Sequence, residues 1–257
     1  MAKKDSERIL EIREKANAQR REQQRREKRN TLFVQLGIAV AVLAIVGAVV
    51  AFVVMQNNSR VLEPGASAQG TVSLSGTDNI PLVVGDNAVT LGEKAAPVTI
   101  DLYEDYSCPH CADYAAEVGP TLLSLVAAGD AVVNYHPIRI VTNYGVAGGS
   151  AATCVAAKNP QNWPDFHAAL FANHSQQTDG WGASDFADFA KKQGITDKDT
   201  ISCIKQGAYA DWIFSNTLAS KEAGVTGTPT LFINGTMQEQ LLSSSGLMDA
   251  VKALKGN

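Results

Sequence analysis

Polar, apolar and mixed stretches follow one another along the chain in blocks, and each block predicts a different kind of structure. Residues 5–29 are rich in Glu, Arg, Lys and Gln, with Ile9, Leu10 and Ile12 as their only large apolar side chains. Residues 32–55 then run LFVQLGIAVAVLAIVGAVVAFVVM, in which Gln35 is the only strongly polar side chain. At 1.5 Å per residue, the stretch from Leu36 to Met55 reaches about 30 Å as a helix, the thickness of a bilayer's hydrocarbon core. Core helices of globular domains are rarely apolar all round for such a length. The pattern therefore predicts a transmembrane helix over 31–55. Residues 56–80 turn polar again, rich in Ser, Gly, Asn, Ala and Thr, and predict a flexible linker.

From Pro81 to Asn257 the pattern is that of one domain with a sizeable core. Val98–Glu104 (VTIDLYE) has β-branched and aromatic character and predicts a strand. Pro109–Ala128 predicts a helix, kinked or broken at Gly119-Pro120. Asp130–Ile140 predicts a second strand. Between about 145 and 224, Ala-rich stretches alternate with aromatic residues at helical spacing: Trp163, Phe166, Leu170 and Phe171, then Phe186, Phe189 and Ala190. This predicts four or five short helices whose aromatic stripe is core packing. Thr230–Asn234 predicts a strand, Gly235 a turn, and Ser244–Lys255 a closing helix. Strand, helix, strand, helical block, strand and helix fit an α/β domain of three layers, with an all-helical insertion between its two halves.

Charge adds an orientation. The total of 22 Lys+Arg and 26 Asp+Glu gives a net of −4. Residues 1–30 alone carry a net of +5, and the remainder a net of −9. Arg20, Arg21, Arg25, Arg26, Lys28 and Arg29 precede the apolar stretch, whereas only Arg60 follows it before Lys94. The positive-inside rule then places the N-terminus in the cytoplasm, the bilayer around 32–55, and the domain outside the cell membrane. A cleaved signal peptide has a shorter apolar region, and Ala66-Ser67-Ala68, which resembles a cleavage site, lies about ten residues too far on. An uncleaved signal anchor is the better expectation. Residues 1–30 read as a solvated orientation signal, because interspersed Glu weakens any lipid-binding patch. The acidic bulk argues against nucleic acid as a partner. A hydrophobic content of 45% excludes wholesale disorder, and the lack of a sustained period excludes coiled-coil rods and repeat arrays.

The candidate chemistry is Cys108-Pro109-His110-Cys111, directly after a predicted strand and at the start of a predicted helix. A helix N-terminus offers unpaired N–H groups and the positive end of the macrodipole, and both stabilise a thiolate, the reactive species in disulfide exchange. Pro109 suits the first turn, where its missing N–H costs nothing. Cys111 lies nearly one turn on and resolves rather than attacks. The His110 imidazole can donate to the thiolate or stabilise it by charge. A stabilised thiolate favours the dithiol over the disulfide and makes the pair oxidising. Lowering a thiol pKa from about 8.5 to about 4 is worth roughly 6 kcal/mol, on the order of 130 mV. The alternatives are a zinc site, for which no second ligand pair follows at finger-like spacing, and a purely structural disulfide, for which the loop is too short to restrain much chain. No metal site and no cofactor is expected.

Together with Gly227-Thr228-Pro229-Thr230-Leu231-Phe232-Ile233-Asn234-Gly235, the CPHC motif and the helical insertion resemble the DsbA-like thiol-disulfide oxidoreductases of the thioredoxin superfamily. The resemblance covers roughly residues 85–255. It implies a thioredoxin-like fold and a cis Pro229 in a loop facing the disulfide, with Thr228 and Pro229 contacting substrate; from the residues alone an ordinary trans turn is the simpler reading. It further implies reduced exported proteins as clients and a membrane reoxidase of the quinone-linked type. One departure concerns the buried acid that thioredoxin carries six residues before its first cysteine, because that position here is Leu102. Glu104 or Asp105 could tune the site instead, and Asp105 could equally shape the turn into the helix.

Cys154 and Cys203 lie 49 residues apart within the helical block. Outside the cytoplasm the expectation is a structural disulfide pinning two inserted helices, with a second redox pair as the alternative. His136, His167 and His174 are scattered, and His167 falls in the aromatic packing pattern. The sequence thus predicts a membrane-anchored disulfide oxidase, a monomer because no separate dimerisation domain is visible. A reductase or isomerase on the same fold, and a tethered binding or chaperone module without turnover, are the rivals.

Overall fold

A computed structural model of the chain describes residues 68–85 and 87–255, together with Gly47. The predicted basic segment, and the predicted transmembrane helix apart from Gly47, lie outside the described residues. Among the described residues, no helix is long and apolar enough to cross a membrane.

Seven strands form one mixed sheet in the order β1-β2-β3-β5-β4-β6-β7. The strands are β1 (Ala68–Leu74), β2 (Thr77–Val84), β3 (Val89–Leu91), β4 (Val98–Glu104), β5 (Ala131–Pro137), β6 (Thr230–Ile233) and β7 (Thr236–Met237). β4 and β5 are parallel, with Leu102 beside Tyr135. β6 runs antiparallel on the other side of β4, with Tyr103 beside Thr230. The parallel pair requires a crossover, and α1 (Pro109–Ala127) supplies it.

β1 and β2 correct the predicted linker over 56–80. Its second half, from Ala68 on, belongs to a hairpin turning at Ser75 (φ 50°) and Gly76 (φ 85°), the positive angles that a two-residue hairpin loop requires. Only Val72 and Leu74 on β1 and Ile80 on β2 face inward from this stretch. That alternation is short enough to be hidden by the polar outer face. The hairpin is tied to the helical block where the Ser73 N–H donates to Gln161 Oε1 at 2.9 Å.

α1 buries Cys111, Tyr114, Val118, Leu122, Leu125 and Val126 as one stripe. The predicted break at Pro120 does not occur, and one helix of 19 residues runs through it. Pro120 removes the bond to the carbonyl of Ala116, but both residues are exposed, so water takes the place of the lost donor. Gly129, at φ 71°, ends the turn beyond the helix.

The insertion consists of α2 (Asn143–Lys158), a short 3₁₀ turn, α3 (Trp163–Asn173), α4 (Ala183–Lys192), α5 (Lys198–Gln206) and α6 (Ala210–Glu222). α2 is buried along nearly its whole length from Tyr144 to Ala156. Its small residues make this possible: a side chain at Gly149 would meet Ile213 of α6 at 2.9 Å. The aromatic stripe packs as core, with Trp163, Phe166 and Phe186 among the largest fully buried side chains. Cys154 of α2 and Cys203 of α5 are joined by a disulfide. α7 (Ser244–Lys255) closes the fold against α1 and β4.

Candidate active site

Cys108 stands at the N-cap of α1 with an extended backbone (φ −92°, ψ 119°) and Pro109 behind it. The turn that delivers it is built by Asp105, whose carbonyl accepts the Cys108 N–H at 2.9 Å. The Asp105 side chain is fully buried and accepts four hydrogen bonds. Oδ1 takes the N–H and the hydroxyl of Ser107 at 2.8 and 2.6 Å. Oδ2 takes the N–H groups of Ile140 and Val141 at 2.6 and 2.8 Å. Ser107 Oγ in turn accepts the Thr142 N–H at 3.0 Å, at the N-cap of α2. One carboxylate thus fixes the active-site turn to the entrance of the helical block. Gly145 is required there, since a Cβ would lie 2.2 Å from Asp105 Oδ1. Asp105 therefore shapes the turn.

Cys108 and Cys111 are both reduced and buried. The Cys108 thiol is pulled down to about 5, first by the hydrogen bond that the Cys111 thiol donates, then by the Thr228 hydroxyl and the N–H groups of Cys111 and His110, against the opposing effect of burial. The same contact and burial push Cys111 far upward, so it stays protonated. The two sulfurs therefore hold opposite roles at neutral pH: a thiolate at Cys108 and a proton-bearing thiol at Cys111. The expected hydrogen bond from the His110 imidazole to the Cys108 sulfur is not among those formed. His110 is exposed, its ring makes no hydrogen bond among the described residues, and its backbone N–H acts on the thiolate. That N–H points out of the first turn, as the geometry of a helix N-terminus dictates.

The Thr228–Pro229 peptide bond is cis. This loop precedes β6, and the pairing of β6 with β4 carries it to the end of β4 that leads into Cys108. Cys108 Sγ lies 3.4 Å from the Thr228 carbonyl. The Thr228 hydroxyl is buried and has no other partner, so it is free for the sulfur. The motifs Cys108–Cys111 and Thr228–Pro229, about 120 residues apart, meet in one site. Beside them runs a groove of about 510 Å³, lined by His110, Asp113, Tyr114 and Glu117 of α1, by Thr228 and Pro229, and by Leu241–Ser243 before α7. Its outer wall is held by the Tyr114 hydroxyl on the Leu242 carbonyl (3.1 Å) and the Ser244 hydroxyl on the Glu117 carbonyl (2.8 Å).

Glu104 lies on the opposite side of α1, 2% exposed. Burial, reinforced by Asp105, pushes its carboxyl well above the usual range. His167, 3.5 Å away, is lowered by burial to about 3. The contact is thus between a neutral acid and a neutral imidazole, and His167 Nδ1 bonds the Tyr106 hydroxyl at 2.8 Å. Both lie in the packed layer beneath α1.

The thioredoxin family model matches residues 85–253. The chain belongs to the thioredoxin family. Among curated proteins, it is 31% identical over 143 residues to the serine/threonine-protein kinase PknE of Mycobacterium tuberculosis, a match covering 51% of this chain. The match spans only 25% of that relative's length. Among solved structures it resembles MdbA, a thiol-disulfide oxidoreductase from Corynebacterium diphtheriae, at 27% identity and a TM-score of 0.56, covering 72% of this chain and 95% of that one. DsbA from Mycobacterium tuberculosis shares the fold, with a TM-score of 0.57 at 23% identity over 66% of this chain and 93% of that one. The expected thioredoxin-like fold with a helical insertion is the fold observed, with the β1–β2 hairpin as an addition the sequence reading missed.

Proposed function

We propose that this protein is a thiol-disulfide oxidoreductase that works as an oxidase, passing a Cys108–Cys111 disulfide to reduced exported proteins. The observation that carries the proposal is the split between the two sulfurs. Cys108 is stabilised as a thiolate next to a groove that its neighbours His110 and Thr228 line, while Cys111 keeps its proton. Such a pair favours its reduced state and gives its disulfide away readily. The likeness to MdbA supports the reaction class.

In the oxidised protein a client thiolate attacks Cys108 Sγ. A client–Cys108 disulfide forms, the Cys108–Cys111 bond breaks, and Cys111 leaves as a thiolate that takes up a proton. A second client thiolate then attacks the client sulfur of the mixed disulfide and expels Cys108 as a thiolate. The client has lost two electrons and gained a disulfide, and the protein has gained two electrons and returned to the dithiol. The Cys108 thiolate is a good leaving group because its hydrogen-bond donors are in place before the bond breaks. Reoxidation requires a two-electron acceptor, and we assign that role to a quinone-linked membrane reoxidase. The apolar run 32–55 and its basic flank support a single-pass anchor that holds the catalytic domain outside the cytoplasm. We take the active form to be a monomer.

Trapping in cells tests the proposal. In Cys111→Ala the Cys108 thiolate attacks a client disulfide and expels one client sulfur, and no neighbouring thiol remains to break the new bond, so exported cysteine-containing proteins should accumulate on Cys108. Cys108→Ser should capture none. Recovery of no exported cysteine protein on Cys111→Ala contradicts turnover on such clients.

A further inference from the structure

The groove beside Cys108 carries charge of one sign. His110 lies three and four residues before Asp113 and Tyr114, and Glu117 four and three residues after them, so the four share one face of α1 along the groove. Asp113 and Glu117 are exposed, and neither side chain has a hydrogen-bond or ion-pair partner among the described residues. No Lys or Arg lines the groove. The opposite wall is apolar, with Leu241 at 44% exposure. An apolar wall facing two unpaired carboxylates suits a long side chain with an aliphatic stem and a cationic head.

We propose that Asp113 and Glu117 select client segments that carry Lys or Arg two to four residues from the reacting cysteine. The inference rests on the reading that clients reach Cys108 through this groove. Its spacing follows from geometry. Asp113 is five residues beyond Cys108, about 7.5 Å along the helix, and Glu117 is nine residues beyond, about 13.5 Å. An extended client rises about 3.3 Å per residue. A cation two residues from its cysteine therefore reaches Asp113, and one four residues away reaches Glu117.

Three dithiol peptides test this, identical except for Lys, Gln or Glu at the second and fourth positions after the cysteine. The second-order rate of oxidation by the oxidised full chain is divided by the rate of the same peptide with the uncharged 2-hydroxyethyl disulfide, which removes differences in intrinsic thiol reactivity. The Lys peptide should exceed the Glu peptide about fivefold at low ionic strength, the ratio given by about 1 kcal/mol of attraction at an exposed surface. The ratio should shrink toward one as salt is raised. In Asp113→Asn/Glu117→Gln it should fall close to one at low salt, and in Asp113→Lys/Glu117→Lys it should fall below one. Equal normalised rates for all three peptides, with the Gln peptide oxidised, overturn the inference and leave the oxidase reading standing. Failure to oxidise even the Gln peptide overturns both.

Discussion

Replacing Asp105 by asparagine removes one of the two oxygens that tie the turn before Cys108 to the start of the helical block. In the native protein, Oδ1 holds both donors of Ser107, and Oδ2 holds the N–H groups of Ile140 and Val141. Asparagine keeps one acceptor oxygen. Its amide nitrogen is best tolerated at Ser107, because the serine hydroxyl can rotate and accept, whereas two backbone N–H groups cannot. The Ser107 N–H is then left buried and unpaired, and the two remaining bonds lose their charge assistance. A bond to a charged group contributes about 1.5–3 kcal/mol net, and an orphaned buried donor costs about 1–3 kcal/mol. The expected loss is therefore about 3–4 kcal/mol, a large part of the 5–15 kcal/mol that typically stabilises a domain. Urea denaturation of the oxidised protein reads it as a lower midpoint at unchanged slope. A loss below about 1 kcal/mol would refute the claim that this carboxylate holds the active-site turn.

Other expectations follow from the same contacts. Thr228→Val removes one donor to the Cys108 thiolate, and at about 1 kcal/mol for that bond the thiol titration should move up by just under one unit; no movement would remove Thr228 from the site's electrostatics. Replacing Cys154 and Cys203 together by serine opens a loop of 49 residues, and the chain-entropy model gives a loss of roughly 4 kcal/mol. Thermal unfolding should show it, with the Cys108 titration unchanged. Glu104 has a raised pKa, so the unfolded chain releases that proton first as pH rises through the ordinary carboxylate range, and stability falls by about 1.4 kcal/mol per unit. Glu104→Gln should therefore gain on the native protein from pH 5 to pH 7, and parallel pH profiles would contradict a buried neutral acid. His167, lowered to about 3, has the opposite sign. The unfolded chain takes up a proton as pH falls below about 6.5, so stability is lost toward acid, and His167→Phe should flatten that limb.

Much of the redox centre is legible in the sequence because its chemistry is local. A strand with β-branched and aromatic character, two cysteines three residues apart and a proline at the first helical position predict a thiol at a helix N-terminus, and Cys108 is placed there. Other features depend on tertiary neighbours. The β1–β2 hairpin has too few inward residues to stand out, and it is stabilised by Gln161 and by the sheet edge at β3. α1 survives Pro120 because that position faces water, which composition does not reveal. The Thr228 hydroxyl meets Cys108 only because β6 pairs with β4. Asp105 is recognisable as a turn former, but its bonds to Ile140 and Val141 span 35 and 36 residues. The groove is likewise a product of folding, since α1 meets Leu241–Ser243 only once α7 has docked.

The central claim is that the Cys108 thiolate makes the pair an oxidant. With the thiol at about 5, its stabilisation of the reduced form is fully present above the ordinary value of 9.0 and is lost as pH falls to about 5. At pH 7 about two units of the shift are expressed, worth roughly 2.7 kcal/mol before solvent screening. A thioredoxin cysteine near pKa 7 draws only about 0.4 kcal/mol from the same source, so the difference is about 50 mV. The most direct measurement is the reduction potential of Cys108–Cys111 at pH 7, from equilibration with glutathione. The account predicts about −220 mV or more oxidising, and a value at or below the thioredoxin figure of about −270 mV would contradict it.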